Sequence, residues 1–147
     1  MRRLLPPVLV VILLGLMGVF QYWLPGPAVV PATHRWWGAV PLFSGVALLV
    51  VARLQFARRH TNIYTFDEPG SLVTDGVFRI SRHPMYLGFA LALLGAAVLF
   101  GSLSALLLAV VYLPIADRWY IVFEERALLR KFGAAYAEYQ RRVRRWL

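Results

Sequence analysis

The sequence predicts an all-α, polytopic membrane protein with about four transmembrane helices in two hairpins and a C-terminal amphipathic helix at the membrane interface. Three observations predict it. The 147 residues are 60% hydrophobic, with a mean hydropathy of +0.62, above the roughly 45–50% apolar content of soluble domains. The apolar residues gather into four long stretches. The basic residues, which bring the net charge to +9, collect almost entirely on one side of those stretches.

Each stretch is judged against the roughly 20 residues that a helix needs to cross about 30 Å of hydrocarbon. Leu4 to Leu24 carries no charge. Its charged start resembles that of a signal peptide, but the run is long and no small-residue cleavage site follows, so it reads as a retained first helix. Trp36 to Ala52 is also uncharged, and the Trp36-Trp37 pair opens it at headgroup level. Met85 to Phe100 is the third stretch. After a Gly101-Ser102 turn the chain returns through Leu103 to Phe123, interrupted by Pro114, Asp117 and Arg118. So tight a turn makes the last two stretches an antiparallel hairpin.

Beyond Phe123 the pattern changes. Glu125, Leu128, Leu129, Phe132, Tyr136, Tyr139, Val143 and Trp146 recur every three or four residues, and Arg126, Arg130, Glu138, Arg141, Arg142 and Arg145 fall largely on the other face. This predicts a basic amphipathic helix lying at the interface, broken at Gly133, with Tyr136 and Tyr139 as interfacial anchors. The loop from His60 to Gly76, with Pro69, Gly70 and Asp75-Gly76, reads as irregular structure. Residues 1–147 are expected to form a single membrane domain: an N-terminal hairpin over 1–52, then a loop, second hairpin and C-terminal helix over 53–147.

If all four stretches span, both termini and the connection from Arg53 to Arg82 share one side. Of the Lys and Arg residues, Arg35 alone falls on the other. The positive-inside rule then makes both termini cytoplasmic. The charge is accounted for by topology and anionic lipid, so no nucleic-acid partner is needed and no obligate protein partner is inferred. Lys131 is the lone lysine beside fifteen arginines, a bias that points to GC-rich bacterial coding and hence a bacterial inner membrane. There are no cysteines, which excludes disulfides, thiolate nucleophiles and cysteine-held metals. No metal site is expected.

The residues that carry chemistry cluster at the entrance to the third stretch. Pro84 suits the first helical turn, with His83 beside the cap. A helix N-terminus attracts anions, and Arg79 and Arg82 add charge to it; the bland alternative is that these arginines are positive-inside flanks on lipid headgroups. Tyr86 lies one turn on. Glu124-Glu125 follows the fourth stretch where acids are otherwise few, and Glu124 is expected to face Arg82 and His83 across the hairpin, so that a ligand with both a cation and a carboxylate finds complementary partners. The alternative is an exposed acidic start to the amphipathic helix. Asp117 and Arg118 lie near the bilayer boundary, where an ionisable residue suggests function. Seven residues separate Asp117 from Glu124, so the two are expected to share a helix face.

In order along the chain stand Leu72-Val73-Thr74-Asp75-Gly76-Val77-Phe78, then Arg82-His83-Pro84-Met85-Tyr86-Leu87-Gly88, the Glu124-Glu125 pair, Leu128-Leu129, Phe132-Gly133 and the two tyrosines. With these pieces the chain, from about Thr61 to Leu147, resembles the isoprenylcysteine carboxyl methyltransferase and phospholipid methyltransferase superfamily. The resemblance implies S-adenosylmethionine-dependent methyl transfer to a lipophilic acceptor at the cytoplasmic face, a prenylcysteine-like carboxylate or a lipid amine. It implies cofactor contacts from Gly70, Ser71, Leu72, Val73, Phe78, His83, Pro84, Met85, Tyr86 and Glu124, with Arg82 beside them. Phe78 stands where the eukaryotic carboxyl methyltransferases have tyrosine, and Tyr120 aligns with their substrate-contacting arginine; Arg118 is close by, so Arg118 and Tyr120 are the candidate substrate contacts. Competing readings are a membrane protein that binds headgroups or a partner without catalysis, and a membrane reductase of related architecture.

Overall fold

The computed structural model describes residues 4–24, 26–58 and 70–147. The predicted loop is therefore described only from Gly70 onward; His60, Thr61 and Pro69 lie outside the described residues, as do Pro25 and the charged start at Arg2 and Arg3. Among the described residues five α-helices carry the fold: α1 (Pro6–Trp23), α2 (Ala39–Arg58), α3 (Pro84–Phe100), α4 (Leu103–Ile115) and α5 (Val122–Arg142). A 3₁₀ turn (Ala32–Gly38) leads into α2, another (Gly76–Arg79) precedes α3, and a π-helical segment (Ala116–Ile121) joins α4 to α5. Three continuous helical stretches, Pro6–Trp23, Ala32–Arg58 and Leu103–Arg142, are long and apolar enough to cross a bilayer, and Pro84–Phe100 is a shorter apolar helix.

The shorter helix is central. α3 packs against α1, α2 and α4, and its buried face is rich in small residues: Gly88, Ala92, Gly95, Ala96 and Ala97. Between hydrocarbon-embedded helices no water is expelled on contact, so close backbone approach supplies the packing energy. Here four glycines supply it. Gly38 and Gly45 lie seven residues apart, as do Gly88 and Gly95, and the pairs interlock: a Cβ on Gly88 would lie 2.8 Å from the Gly45 carbonyl oxygen, and one on Gly95 would lie 2.6 Å from the Gly38 carbonyl oxygen. Gly95→Ala should therefore force α2 and α3 apart and lose about 1–3 kcal/mol, measured as denaturant unfolding in mixed micelles. Gly15→Ala is the control, since a Cβ there meets nothing within 4 Å, and it should be neutral or stabilising.

Elsewhere the helices depart from their sequence-based bounds. α2 continues past Ala52 to Arg58, because Arg53 and Arg58 near a helix end can reach the interface along their own stems. The C-terminal amphipathic helix is continuous with the fourth span. Pro114 removes one backbone donor inside α4, and the next turn takes the wider π spacing. Beyond it Asp117 shares a partner, Arg145, with Glu125, eight residues on.

Gly133 breaks the helix as expected, with φ 49° and ψ −121°. The consequence for the tyrosines overturns their assignment as interfacial anchors. The redirected last turns pack onto the loop before α3, so Tyr136 and Tyr139 are buried with Val73 and Phe78. Arg145 is likewise not on a solvated helical face: the helix ends at Arg142, Val143 is extended, and the chain turns back toward the start of α3.

The bundle has two chemically different ends. At one, Gly101 closes the α3–α4 turn with φ 74° and its carbonyl accepts from the Val29 and Val30 backbones at 2.9 and 3.2 Å. At the other, the starts of α1, α3 and α5 and the last turns of α2 surround a cavity.

Candidate functional site

The cavity is about 600 Å³, within the range of small-molecule sites. Its polar lining comes from the loop before α3, the α3 N-terminus and the start of α5: Ser71, Arg82, His83, Tyr86 and Glu124. Its apolar lining comes from Leu5, Pro6 and Pro7 at the start of α1, from Leu49 and Val50 on α2, and from Phe89 one turn further into α3. α1 and α2 each pack on α3 and barely touch one another, so the apolar part lies along the cleft between them.

The polar part is positioned by the helix start. His83 is the N-cap of α3 and Pro84 its first residue, which aims the His83 and Tyr86 side chains at the same element, α5. The Tyr86 hydroxyl donates to Glu124 Oε1 at 2.7 Å, and His83 Nδ1 lies 3.4 Å from Glu124 Oε2. On its other edge His83 Nε2 lies 3.4 Å from Glu125 Oε1.

Glu125 is the hub of a second layer behind these contacts. It is buried and accepts from Arg82 Nη2 at 2.6 Å and from Arg145 Nη2 at 2.6 Å. Arg145 also donates to both oxygens of Asp117, at 3.1 and 3.2 Å, and Trp146 Nε1 donates to Asp117 Oδ1 at 3.1 Å. Arg82 reaches two C-terminal carbonyls, Gln140 at 3.0 Å and Val143 at 3.1 Å. Ser81 Oγ donates to the Arg145 carbonyl at 3.1 Å, and the Tyr139 hydroxyl donates to the Phe78 carbonyl at 2.6 Å. The C-terminal segment is thereby latched over the α3 start, and Tyr136 and Tyr139 become part of the cavity wall.

This electrostatic arrangement sets protonation beyond the end of the apolar stretch. Burial works against a charged imidazole at His83, but hydrogen bonds to Glu124 and Glu125 and their negative charge outweigh it and raise its pKa above 6.5. Burial alone would raise the Glu125 pKa; hydrogen bonds from His83, Arg145 and Arg82 bring it down to about 2.

Of the residues singled out in the sequence, Ser71, Leu72, Val73, Phe78, Arg82, His83, Pro84, Met85, Tyr86 and Glu124 all line this cavity, and Gly70 does not. Arg79 is exposed and not part of the lining. Tyr120 is buried, stacked on Tyr86 at 6.1 Å between ring centroids, so it supports the site from behind. The Arg118 side chain is 85% exposed, 3.8 Å from Asp117, and lines a separate shallow groove with Leu113 and Trp146. Sequence reasoning missed the contribution of the first hairpin, Leu5 to Pro7, Leu49, Val50, Arg53 and Phe56, and it missed Arg145.

Fold and site together define a multi-pass, α-helical membrane protein with an amphipathic cavity at one end of its bundle. The sequence profile of the phospholipid methyltransferase family matches residues 33–135, and the chain belongs to that family. It is 35% identical over 118 residues to protein-S-isoprenylcysteine O-methyltransferase B of Arabidopsis thaliana, covering 75% of this chain and 59% of that protein. It is 38% identical over 72 residues to a protein-S-isoprenylcysteine O-methyltransferase of Schizosaccharomyces pombe, covering 49% of this chain and 30% of that protein. It is also 40% identical over 74 residues to methanethiol S-methyltransferase 2 of Bradyrhizobium diazoefficiens, covering 50% of this chain and 27% of that protein. The chain thus spans about three-fifths, 59%, of the plant relative's length. No solved structure gives a significant match.

Proposed function

We propose that this protein is an S-adenosylmethionine-dependent methyltransferase acting on a lipophilic acceptor, with the cavity as its active site and the cytoplasm on the side of the cavity. The observation that carries this reading is the two-part lining. Polar groups from His83, Tyr86 and Glu124 meet an apolar cleft between α1 and α2 in one space. A polar, cationic cofactor and a hydrophobic acceptor need such a combination. The family membership and the names of the relatives support methyl transfer.

The lining suits the cofactor's chemistry. The Glu124 carboxylate, oriented by Tyr86, is a counter-charge for an ammonium or a sulfonium. Arg82 Nε is a buried donor with no hydrogen-bond partner among the described residues, available to an acceptor atom of a ligand. Phe78, Tyr136 and Tyr139 offer ring surfaces for an adenine. Bound S-adenosylmethionine would supply a methyl group already activated on a sulfonium. The chain's own work is then position: fixing two reactants in line removes much of the entropic barrier, and the Glu125 hub holds His83 and the C-terminal wall in place for it. The acceptor would enter along the α1–α2 cleft. On this reading the first hairpin and the remainder act as one unit, since both line the cavity.

The direct test is to incubate purified protein with methyl-labelled S-adenosylmethionine and a total lipid extract and to identify what is labelled. A labelled lipophile is expected. Absence of any labelled product, together with no calorimetric binding of S-adenosylmethionine in detergent, would sink the proposal.

A further inference from the structure

We propose that a lipid site separate from the cavity lies in the groove between the end of α4 and the C-terminal segment, where Arg118 holds the phosphate of an anionic phospholipid. The site is independent of the methyltransferase reading, because its lipid is a bound ligand and not an acceptor.

The groove, about 470 Å³, is lined by Leu113, Pro114, Asp117, Arg118 and Trp146, and it shares no lining residue with the cavity. Its two charges are unequally satisfied. Asp117 is filled from within the protein: Arg145 Nη1 donates to both of its oxygens, at 3.1 and 3.2 Å, and Trp146 Nε1 donates to Oδ1 at 3.1 Å. Arg118 is exposed, and its one ion pair among the described residues is with that same carboxylate, at 3.8 Å, too long for a hydrogen bond. The groove therefore sets an available guanidinium beside a carboxylate already occupied.

The surroundings supply a place for a tail and a level for a headgroup. Leu107, Val110, Pro114 and Arg118 recur every three or four residues and are all exposed, so an apolar stripe runs along the fourth span and ends at the guanidinium. Trp119, next to Arg118, is exposed, and Trp146 forms the opposite wall; indole rings settle at the headgroup level. A phospholipid whose acyl chain follows the stripe would bring its phosphate to Arg118, and a guanidinium meets a phosphate through two parallel hydrogen bonds. A zwitterionic headgroup carries the same phosphate but adds a cation, for which Asp117 has no free oxygen and beside which Arg145 and Arg118 already stand. An anionic headgroup such as phosphatidylglycerol has no cation to place. Because Asp117 and Trp146 also anchor the C-terminal latch, an occupied groove stabilises that latch by mass action.

The test is native mass spectrometry of the full chain in detergent, titrated with phosphatidylglycerol or phosphatidylcholine of identical acyl chains. Phosphatidylglycerol should bind about fivefold more tightly, the effect of one basic residue at an anionic surface. Arg118→Gln should abolish that preference and Arg118→Lys retain part of it, while Arg126→Gln, at an exposed cation of α5, leaves it unchanged. Val110→Ser should weaken both lipids alike, since it removes tail contact and not charge. In thermal melts Arg118→Gln should match the unsubstituted protein in phosphatidylcholine, because Asp117 keeps Arg145 and Trp146, and should lose the stabilisation that phosphatidylglycerol confers. A preference that survives in Arg118→Gln overturns the inference. So does a preference that falls as far in Arg126→Gln, which would reduce it to general surface charge. Displacement of phosphatidylglycerol by excess glycerol 3-phosphate would overturn it too, by showing a small-anion site with no use for the tail. Neither methyl donor nor acceptor enters these measurements, so their failure is distinct from failure of the proposed activity.

Discussion

Glu125→Ala should lose about 3 kcal/mol of stability or more, as expected when one member of a buried ion cluster is removed and its partners remain. Two guanidiniums, Arg82 and Arg145, each donate to this carboxylate at 2.6 Å, and His83 lies 3.4 Å away. Without Glu125 the cluster of Arg82, His83 and Arg145 against Asp117, Glu124 and Glu125 loses its central acid. The C-terminal latch over the α3 start then rests on hydrogen bonds to carbonyls and on Asp117 alone. Glu125→Gln, which keeps the shape and one acceptor, should lose less. Unfolding by graded denaturant in mixed micelles measures both; a loss below about 1 kcal/mol for the alanine variant would show that the cluster does not hold the fold together.

The same cluster fixes the pH range of that stability. Glu125 is lowered from 4.5 to about 2, so its contribution is present above pH 4.5 and fades as pH falls toward 2. His83 is raised above 6.5, so its contribution is full below pH 6.5 and is lost as pH climbs through the higher folded-state value. Both are therefore in force between about pH 4.5 and 6.5. The stability difference between the protein and Glu125→Ala should peak in that window and narrow on both sides.

Much of this architecture is legible from the sequence because hydrocarbon imposes a simple rule: long uncharged stretches become helices. The helix start at His83-Pro84 is equally legible, since proline at the first position is a local effect. What escapes is whatever depends on three-dimensional return of the chain. Periodicity continued past Arg142 places Arg145 on a solvated face; only the turn at Val143 brings it to Glu125. Past the π segment after Pro114, Arg82 pairs with Glu125 where the sequence points to Glu124, and His83 reaches both acids; heptad counting has no means to see it. Tyr136 and Tyr139 look like headgroup anchors until the Gly133 break folds them over Phe78. The glycine interlock is a different case. Gly38, Gly45, Gly88 and Gly95 stand at matching seven-residue spacings, a signal present in the sequence that points to close helix contact. Read that way, it would have tied the first hairpin to α3 and drawn α2 toward the cavity.

The neighbouring glutamates should separate cleanly in a cofactor-binding assay. Glu124 offers its carboxylate to the cavity and is engaged by the Tyr86 hydroxyl at 2.7 Å; its side chain is 23% exposed, against 10% for Glu125. Among the described residues the guanidiniums of this cluster pair with Glu125 and Asp117 and none with Glu124, so Glu124→Ala should remain folded and lose less stability than Glu125→Ala. Its affinity for S-adenosylmethionine should nevertheless fall about a hundredfold, the loss expected when a charge-assisted contact of about 2–3 kcal/mol disappears from a desolvated site. Tyr86→Phe keeps the ring and removes only the hydroxyl that orients Glu124, so a loss nearer tenfold is expected. His83→Ala should weaken binding as severely as Glu124→Ala, because His83 lines the cavity and also spans the two acids. Calorimetry in detergent, paired with a thermal melt of each variant, distinguishes the cases: affinity lost with stability retained places Glu124 on the ligand. Unchanged affinity in both Glu124→Ala and His83→Ala would remove the polar end of the cavity from cofactor binding altogether.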